Sequence, residues 1–282
     1  MGTKTSAFGA GKRESHDSGA FYSRGLMNIE ETEDTATSET TVSDEIFLHS
    51  AEDMSELPGA SVALIVTSPP YHVGKDYDSD VSFDEYLDTL RRVFKETYRV
   101  LEPGGRAVIN VANLGRRPYI PLSHIVTRQM LDIGYYMRGE IIWQKAKGAS
   151  GSCAWGSWRS ATNPVVRDVH EYCLVFSKGR FDRVRRGAST ISAEEFMAGT
   201  LSIWELPSES ANRAGHPAPF PVSLPRRFIE LYTFENDLVL DPFIGSGTTA
   251  VAAIETGRRY VGYEIDAAYI TRANERIAEA RS

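Results

Sequence analysis

Five consecutive residues, Thr67, Ser68, Pro69, Pro70 and Tyr71, bring together a hydroxyl, backbone carbonyls and an aromatic face. Those groups suit a planar molecule that carries an amino group. The nitrogen of an aromatic amine is a poor nucleophile because its lone pair is delocalised into the ring. Acceptors at its N–H groups, here the Ser68 oxygen and the Pro69 carbonyl, would draw the nitrogen toward tetrahedral geometry and free that lone pair. No covalent intermediate is then required. Tyr71 would stack on the base, a contact worth roughly 1–3 kcal/mol per base in single-strand binders. A base inside a duplex reaches such a pocket only by flipping out. Taken alone, the pentapeptide reads equally well as a Pro-Pro turn that ends a strand.

A second constellation lies near the C-terminus. Leu238-Val239-Leu240-Asp241-Pro242-Phe243 reads as a strand, followed by Gly245-Ser246-Gly247-Thr248-Thr249 and a helical run from Ala250 to Glu255. Glycines at a strand-to-helix turn let the backbone approach a ligand closely. A further strand, Arg259 to Asp266, ends in acids, Glu264 among them. Strand, glycine turn, helix, strand, acid is the nucleotide-binding half of a doubly wound sheet, in which the acid takes the ribose hydroxyls. The third glycine of the pyrophosphate pattern is absent. That favours a nucleoside ligand without a pyrophosphate, and S-adenosylmethionine is one.

Together, Ser68-Pro69-Pro70-Tyr71 and Asp241-Pro242-Phe243-Ile244-Gly245-Ser246-Gly247-Thr248-Thr249 resemble the motifs of the β-class, permuted DNA amino-methyltransferases, whose catalytic motif precedes the cofactor motif. The resemblance covers the chain from about Ile46 to Ala280. In that family the Ser-Pro-Pro-Tyr form goes mostly with N4-cytosine methylation, and an Asp or Asn in the first position mostly with N6-adenine. Ser68 therefore implies methyl transfer from S-adenosylmethionine to the exocyclic N4 of a flipped-out cytosine in duplex DNA. An N6-adenine enzyme on the same scaffold is the alternative, and a non-catalytic DNA-binding module that retains the cofactor is the rival from a different class. A cognate restriction endonuclease is an open partner, as is a second copy of the chain. The resemblance also places His216 and Phe220, within a His-Pro-to-Phe-Pro run, on the methionine side of the cofactor pocket. Ser50 stands where the family usually has an acid near the cofactor adenine; it reads as well as a helix cap.

Composition narrows the chemistry further. Cys153 and Cys173 match no zinc spacing and give no disulfide framework, so no metal is expected. Methylation at a cytosine ring carbon uses an attacking thiolate after a proline, and neither cysteine follows one. No apolar run approaches the roughly 18–20 residues of a membrane span, and the N-terminus lacks a signal-peptide layout; a cytoplasmic protein is expected. The net charge of −7 conceals polarity. No Lys or Arg falls between Arg24 and Lys75, whereas the stretch from Arg138 to Arg186 holds ten basic residues against four acidic ones. Phosphate binding depends on the local patch rather than the total.

The elements that must position these groups alternate. Strands are expected at Glu45–His49, Val62–Val66, Arg106–Val111, Tyr136–Gln144 and His170–Phe176, and helices after Ser82, over Pro121–Asp132, through Leu224–Leu231 and over Ala268–Ala280. That order predicts an α/β fold, a doubly wound and mostly parallel sheet covered on both faces. Residues 1–44, acidic and poor in apolar side chains, are expected to be disordered. Residues 45–178 would form the catalytic part, 179–212 a small target-recognition region, and 213–282 the cofactor-binding part. The aperiodic stretch from Lys145 to Asp168 is longer than a plain connector. Its Lys145, Lys147, Trp155, Trp158 and Arg159, with Arg183, Arg185 and Arg186 further on, are candidates to meet DNA.

Overall fold

The structure is a computed structural model that describes residues 30–70, 82–115, 117–145, 155–207 and 220–282. Residues 33–282 form one compact unit, to which all that follows refers; of the separate unit at 1–32, only residues 30–32 are described.

The run Val62–Thr67 is buried at every position, which fits a strand covered on both faces, and it forms β2 of the sheet after β1 (Glu45–Leu48). α1 (Phe83–Val100) follows. It opens on a reciprocal cap in which Ser82 Oγ accepts from the Glu85 amide at 3.2 Å and the Glu85 carboxylate accepts from the Ser82 amide at 2.8 Å. Tyr86, Leu90, Val93 and Phe94 recur at helical spacing and turn inward. β3 (Leu101–Val111), α2 (Leu122–Ile133), β4 (Tyr135–Lys145), β5 (His170–Lys178), α3 (Ala193–Gly199) and β6 (Ile203–Leu206) come next. The chain closes with α4 (Ser223–Tyr232), β7 (Leu238–Asp241), α5 (Thr248–Glu255), β8 (Arg259–Glu264) and α6 (Ala267–Ala280).

The eight strands lie in the order β1-β8-β7-β2-β3-β5-β4-β6. All neighbours are parallel except β5, which runs antiparallel to both β3 and β4. Two cores cover the sheet. One gathers Val93, Phe94, Val126 and Met130 from α1 and α2; the other gathers Leu224, Phe228, Ala252 and Ile277 from α4, α5 and α6, with Trp143 and Trp204. The doubly wound α/β expectation is thus met.

Three details differ from the sequence expectation. β3 starts at Leu101 and runs through Pro103-Gly104-Gly105, which the sequence suggests as a helix stop alone. Gly104 has φ 77°, and a Cβ there would lie 1.9 Å from the Asp182 carbonyl oxygen, so the chain after β5 packs directly on this turn. Second, β6 has no marked apolar run, yet it pairs with β4 and tucks Trp204 and Leu206 beneath the sheet. Third, α5 begins at Thr248, two residues earlier than its apolar run suggests.

α1 carries the chain from β2 to one side and α5 carries it from β7 to the other, although β2 and β7 are neighbours. Where the winding diverges, the C-terminal strand ends leave a crevice, the usual place for a ligand in an open α/β sheet. Thr67, which opens one motif, and Asp241, which opens the other, end these two neighbouring strands. At the margin of the sheet, Asp44 just before β1 and Arg281 just after α6 form an ion pair at 3.9 Å.

Candidate active site

Thr67 is the last residue of β2 and Asp241 the last of β7. The Thr67 hydroxyl donates to Asp241 Oδ1 at 2.6 Å, the Thr249 hydroxyl donates to Oδ2 at 2.6 Å, and the Phe243 amide donates to Oδ1 at 3.0 Å. Asp241 is buried, and burial raises its carboxyl to about 6 against the pull of those three donors. Its carboxylate is a clamp between the two motifs. It ties Thr67, the residue before Ser68, to the strand that leads into the glycine turn and to Thr249 beyond it.

The turn itself is held from inside. Arg276 on α6 donates through Nη1 to the Ser246 carbonyl, the Ser246 hydroxyl and the Thr248 hydroxyl, each at 2.9 Å. Gly247, at φ 80°, packs so closely on α6 that a Cβ would stand 2.9 Å from that of Ala273. Ser246, Thr248 and Thr249 are therefore buried and shape the loop, while Pro242, Gly245 and Gly247 contribute backbone. Phe243 is half-buried.

Glu264 ends β8 at the same rim. Its carboxylate accepts from the amides of Gly245 at 3.0 Å, Ile265 at 2.9 Å and Asp266 at 3.0 Å. Burial nonetheless raises its pKa, with those three amides opposing. A carboxylate offers about four lone-pair sites, so capacity remains for a hydroxyl. Beside it, Ile265 exposes an apolar side chain on which a flat ring could rest. This set fits the ribose and base of a nucleoside: an acid at the rim, an apolar side chain next to it, and a turn whose glycines admit close approach.

Ser68 is half-buried, Pro69 buried and Pro70 exposed. Asn110 on β3 donates through Nδ2 to Ser68 Oγ at 3.4 Å and to Glu171 Oε2 on β5 at 2.7 Å. Tyr71 and His216 lie outside the described residues, as does Lys147. Phe220 is half-buried and packs against the second core.

The candidate DNA contacts divide by position. β5 starts where β4 ends, with His170 opposite Gln144, and Tyr172 lies opposite Val111 at the end of β3. The segment between β4 and β5 therefore leaves the sheet at the same rim as Ser68. There Gly156 bridges Pro164, and the Val165 amide donates to the Trp155 carbonyl at 3.0 Å. Trp155 and Trp158 meet edge to face at 5.0 Å, Arg167 lies 3.7 Å over Trp155, and Trp158 is 67% exposed, with Arg159 exposed beside it. Lys145, by contrast, is ion-paired with Glu171.

The basic run after β5 is a correction to the expectation. β5 is antiparallel, so its C-terminal end and residues 179–186 lie at the opposite rim. Arg183 pairs there with the buried Glu102 and with Asp237, and Arg185 pairs with Glu102 at 3.3 Å and Glu39 at 3.0 Å. These two arginines neutralise a buried acid rather than face a ligand. Arg186 is exposed, but on that far side. Within 179–212, α3 leads into β6, which extends the sheet beside β4, and residues 208–212 lie outside the described residues.

The rim just described is that of an S-adenosylmethionine-dependent methyltransferase, and comparison with known proteins gives the family. The model for DNA methylases, N6_N4_Mtase, matches residues 62–275. The type II methyltransferase M.MjaI of Methanocaldococcus jannaschii is 31% identical over 271 residues, covering 80% of this chain and 88% of that protein. The DNA adenine methyltransferase YhdJ of Escherichia coli is 29% identical, covering 80% and 79%. TTHA0409 of Thermus thermophilus, in complex with S-adenosyl-L-methionine, superposes with a TM-score of 0.68 at 31% identity over 83% of this chain and 93% of its own. The cytosine-N4-specific PvuII DNA methyltransferase shares the fold, with a TM-score of 0.66 at 21% identity over 84% and 87%. The chain belongs to the N4-cytosine/N6-adenine DNA methylase family. It is a DNA methyltransferase, and S-adenosylmethionine is its cofactor. Among the described residues no group of side chains could hold a metal ion, and no helix is long and apolar enough to cross a membrane.

Sequence reasoning missed Thr67 as a clamp, Arg276 as the brace of the turn, and Asn110 and Glu171 behind Ser68. The usable signal was a polar side chain inside a buried strand, as Asn110 is between Ile109 and Val111.

Proposed function

We propose that this chain methylates the exocyclic N4 of a cytosine flipped out of duplex DNA. The observation that supports this reading is the Thr67–Asp241 hydrogen bond, which joins the residue before Ser68 to the strand that leads into the glycine turn. The cofactor supplies a methyl group on a sulfonium, which leaves as a neutral thioether without help from a metal. The Ser68 oxygen and the Pro69 carbonyl accept the two N–H bonds of the target amino group, and Tyr71 stacks on its ring. Glu264 takes the ribose hydroxyls, and His216 with Phe220 closes the methionine end. Holding the two reactants in line can supply about 7–11 kcal/mol of the barrier. As the new N–C bond forms, the amino group releases one proton to solvent.

The cytosine assignment rests on serine at the first position of the catalytic motif. The second reading, N6-adenine, is favoured by the likeness to the DNA adenine methyltransferase YhdJ. Trp158 and Arg159, exposed at the rim, serve as DNA contacts, Trp158 by stacking and Arg159 by phosphate pairing. A type II modification role, with a restriction endonuclease reading the same sequence, follows from the likeness to M.MjaI.

The experiment is incubation of the purified chain with S-adenosylmethionine and mixed-sequence duplex DNA, followed by mass spectrometry of the nucleosides. N4-methylcytosine is the expected product. N6-methyladenine instead would transfer the assignment to the second reading, and absence of either would remove both. Ser68→Ala is expected to keep cofactor binding and lose transfer.

A further inference from the structure

Behind Ser68 lies a polar chain crossing three strands. Asn110 (β3) is buried, and its amide has its orientation fixed from two sides. Nδ2 donates to the buried carboxylate of Glu171 (β5) at 2.7 Å, while Oδ1 accepts from Cys173 Sγ (β5) at 3.3 Å. Burial keeps the Cys173 thiol protonated, so it can only donate there. The other Glu171 oxygen is ion-paired to Lys145 (β4), whose ammonium also lies 5.3 Å from the Trp143 ring. A buried carboxylate needs such a partner, and a neutralised one stays put. With Cys173 and Glu171 satisfied only in this orientation, the remaining N–H of Asn110 is presented to Ser68 Oγ, at 3.4 Å.

Building on the function proposed above, we propose that Glu171 is a positioning residue for methyl transfer: anchored by Lys145 and acting through Asn110, it holds the Ser68 hydroxyl where it meets the amino group of the target base. Asn110 donates to Ser68 and has no titratable proton to exchange.

The test measures three quantities on the full chain: the single-turnover rate on a duplex that the wild type methylates, the Kd for S-adenosylmethionine, and thermal melting. For Glu171→Ala a rate loss of about 100-fold is expected, the scale of a 1 Å misplacement, with cofactor Kd unchanged. Glu171→Gln, which keeps an acceptor for Asn110, should recover most of the rate. A Glu171→Ala rate equal to wild type overturns the proposal, and so does a loss of cofactor affinity in step with the rate. Should that variant not fold, the isosteric Asn110→Asp decides. A carboxyl has at most one proton to donate where the amide had two N–H groups for Glu171 and Ser68, so transfer should stay lost across the pH range with cofactor Kd unchanged; a wild-type rate overturns the proposal. Failure of the wild type to methylate any duplex would instead remove the underlying function, a separate result.

Discussion

The Thr67 hydroxyl donates to Asp241 Oδ1 at 2.6 Å, joining residues 174 positions apart in sequence at the ends of adjacent strands. Thr67→Val keeps the side-chain shape and leaves one carboxylate oxygen with the Phe243 amide alone. The expected cost is about 1–3 kcal/mol, the penalty for a buried polar group that loses its partner. Weaker cofactor binding should accompany it as the turn loosens. Urea unfolding and calorimetric titration check both, and unchanged values for the pair would show that the bond does not support the site.

Asp241 also makes a signed prediction for pH. Its carboxyl is raised from the ordinary 3.8 to about 6, chiefly by burial. Between those values the native state binds more proton than the unfolded chain does, so this group's contribution to stability falls as pH rises through the window and is flat above it. Asp241→Asn should abolish that slope. The difference in melting temperature between the two proteins, followed from pH 4 to 7, should therefore change steadily up to about 6 and then level off. A difference independent of pH would refute it.

At Glu264 the carboxylate gathers three amides and has acceptor capacity left for a ribose hydroxyl. Glu264→Ala is expected to weaken S-adenosylmethionine binding by about 1.5–3 kcal/mol, the range for a hydrogen bond to a charged group. Glu264→Gln should fall between. Titration calorimetry gives the answer directly, and wild-type affinity in Glu264→Ala would remove the ribose role.

Gly104 lies far from the rim that carries Ser68, and the prediction there is purely structural. Its φ of 77° and the 1.9 Å approach of a virtual Cβ to the Asp182 carbonyl leave no room for alanine. Gly104→Ala should lose at least about 1–3 kcal/mol through overpacking, with the cofactor affinity of the folded fraction preserved. An alanine variant as stable as wild type would contradict the packing of the chain after β5 onto this turn.

How much of this was legible beforehand depended on range along the chain. Val62–Thr67 and Leu238–Asp241 announce themselves as buried strands, and the groups that end them are local in sequence; the two motifs and the α/β class follow from such short windows. The antiparallel course of β5 has no local signature, because His170–Phe176 has the same apolar character whichever way it runs. Its direction decides that Arg183 and Arg185 lie on the far rim and Trp158 on the near one. Asn110 and Glu171 were hidden for the same reason. Each is an ordinary polar residue in an apolar run, and only pairing β3 with β5 places them together.

Asp44 and Arg281 meet where the first strand begins and the last helix ends. The polypeptide from one to the other is nearly a closed loop, needing only a short splice to become one. Opened instead at a different surface turn, the same loop would place the glycine turn ahead of Ser68 in the gene and still bring Thr67 against Asp241. The succession of the two motifs along the sequence thus records where the loop is cut, and the chemistry is indifferent to it.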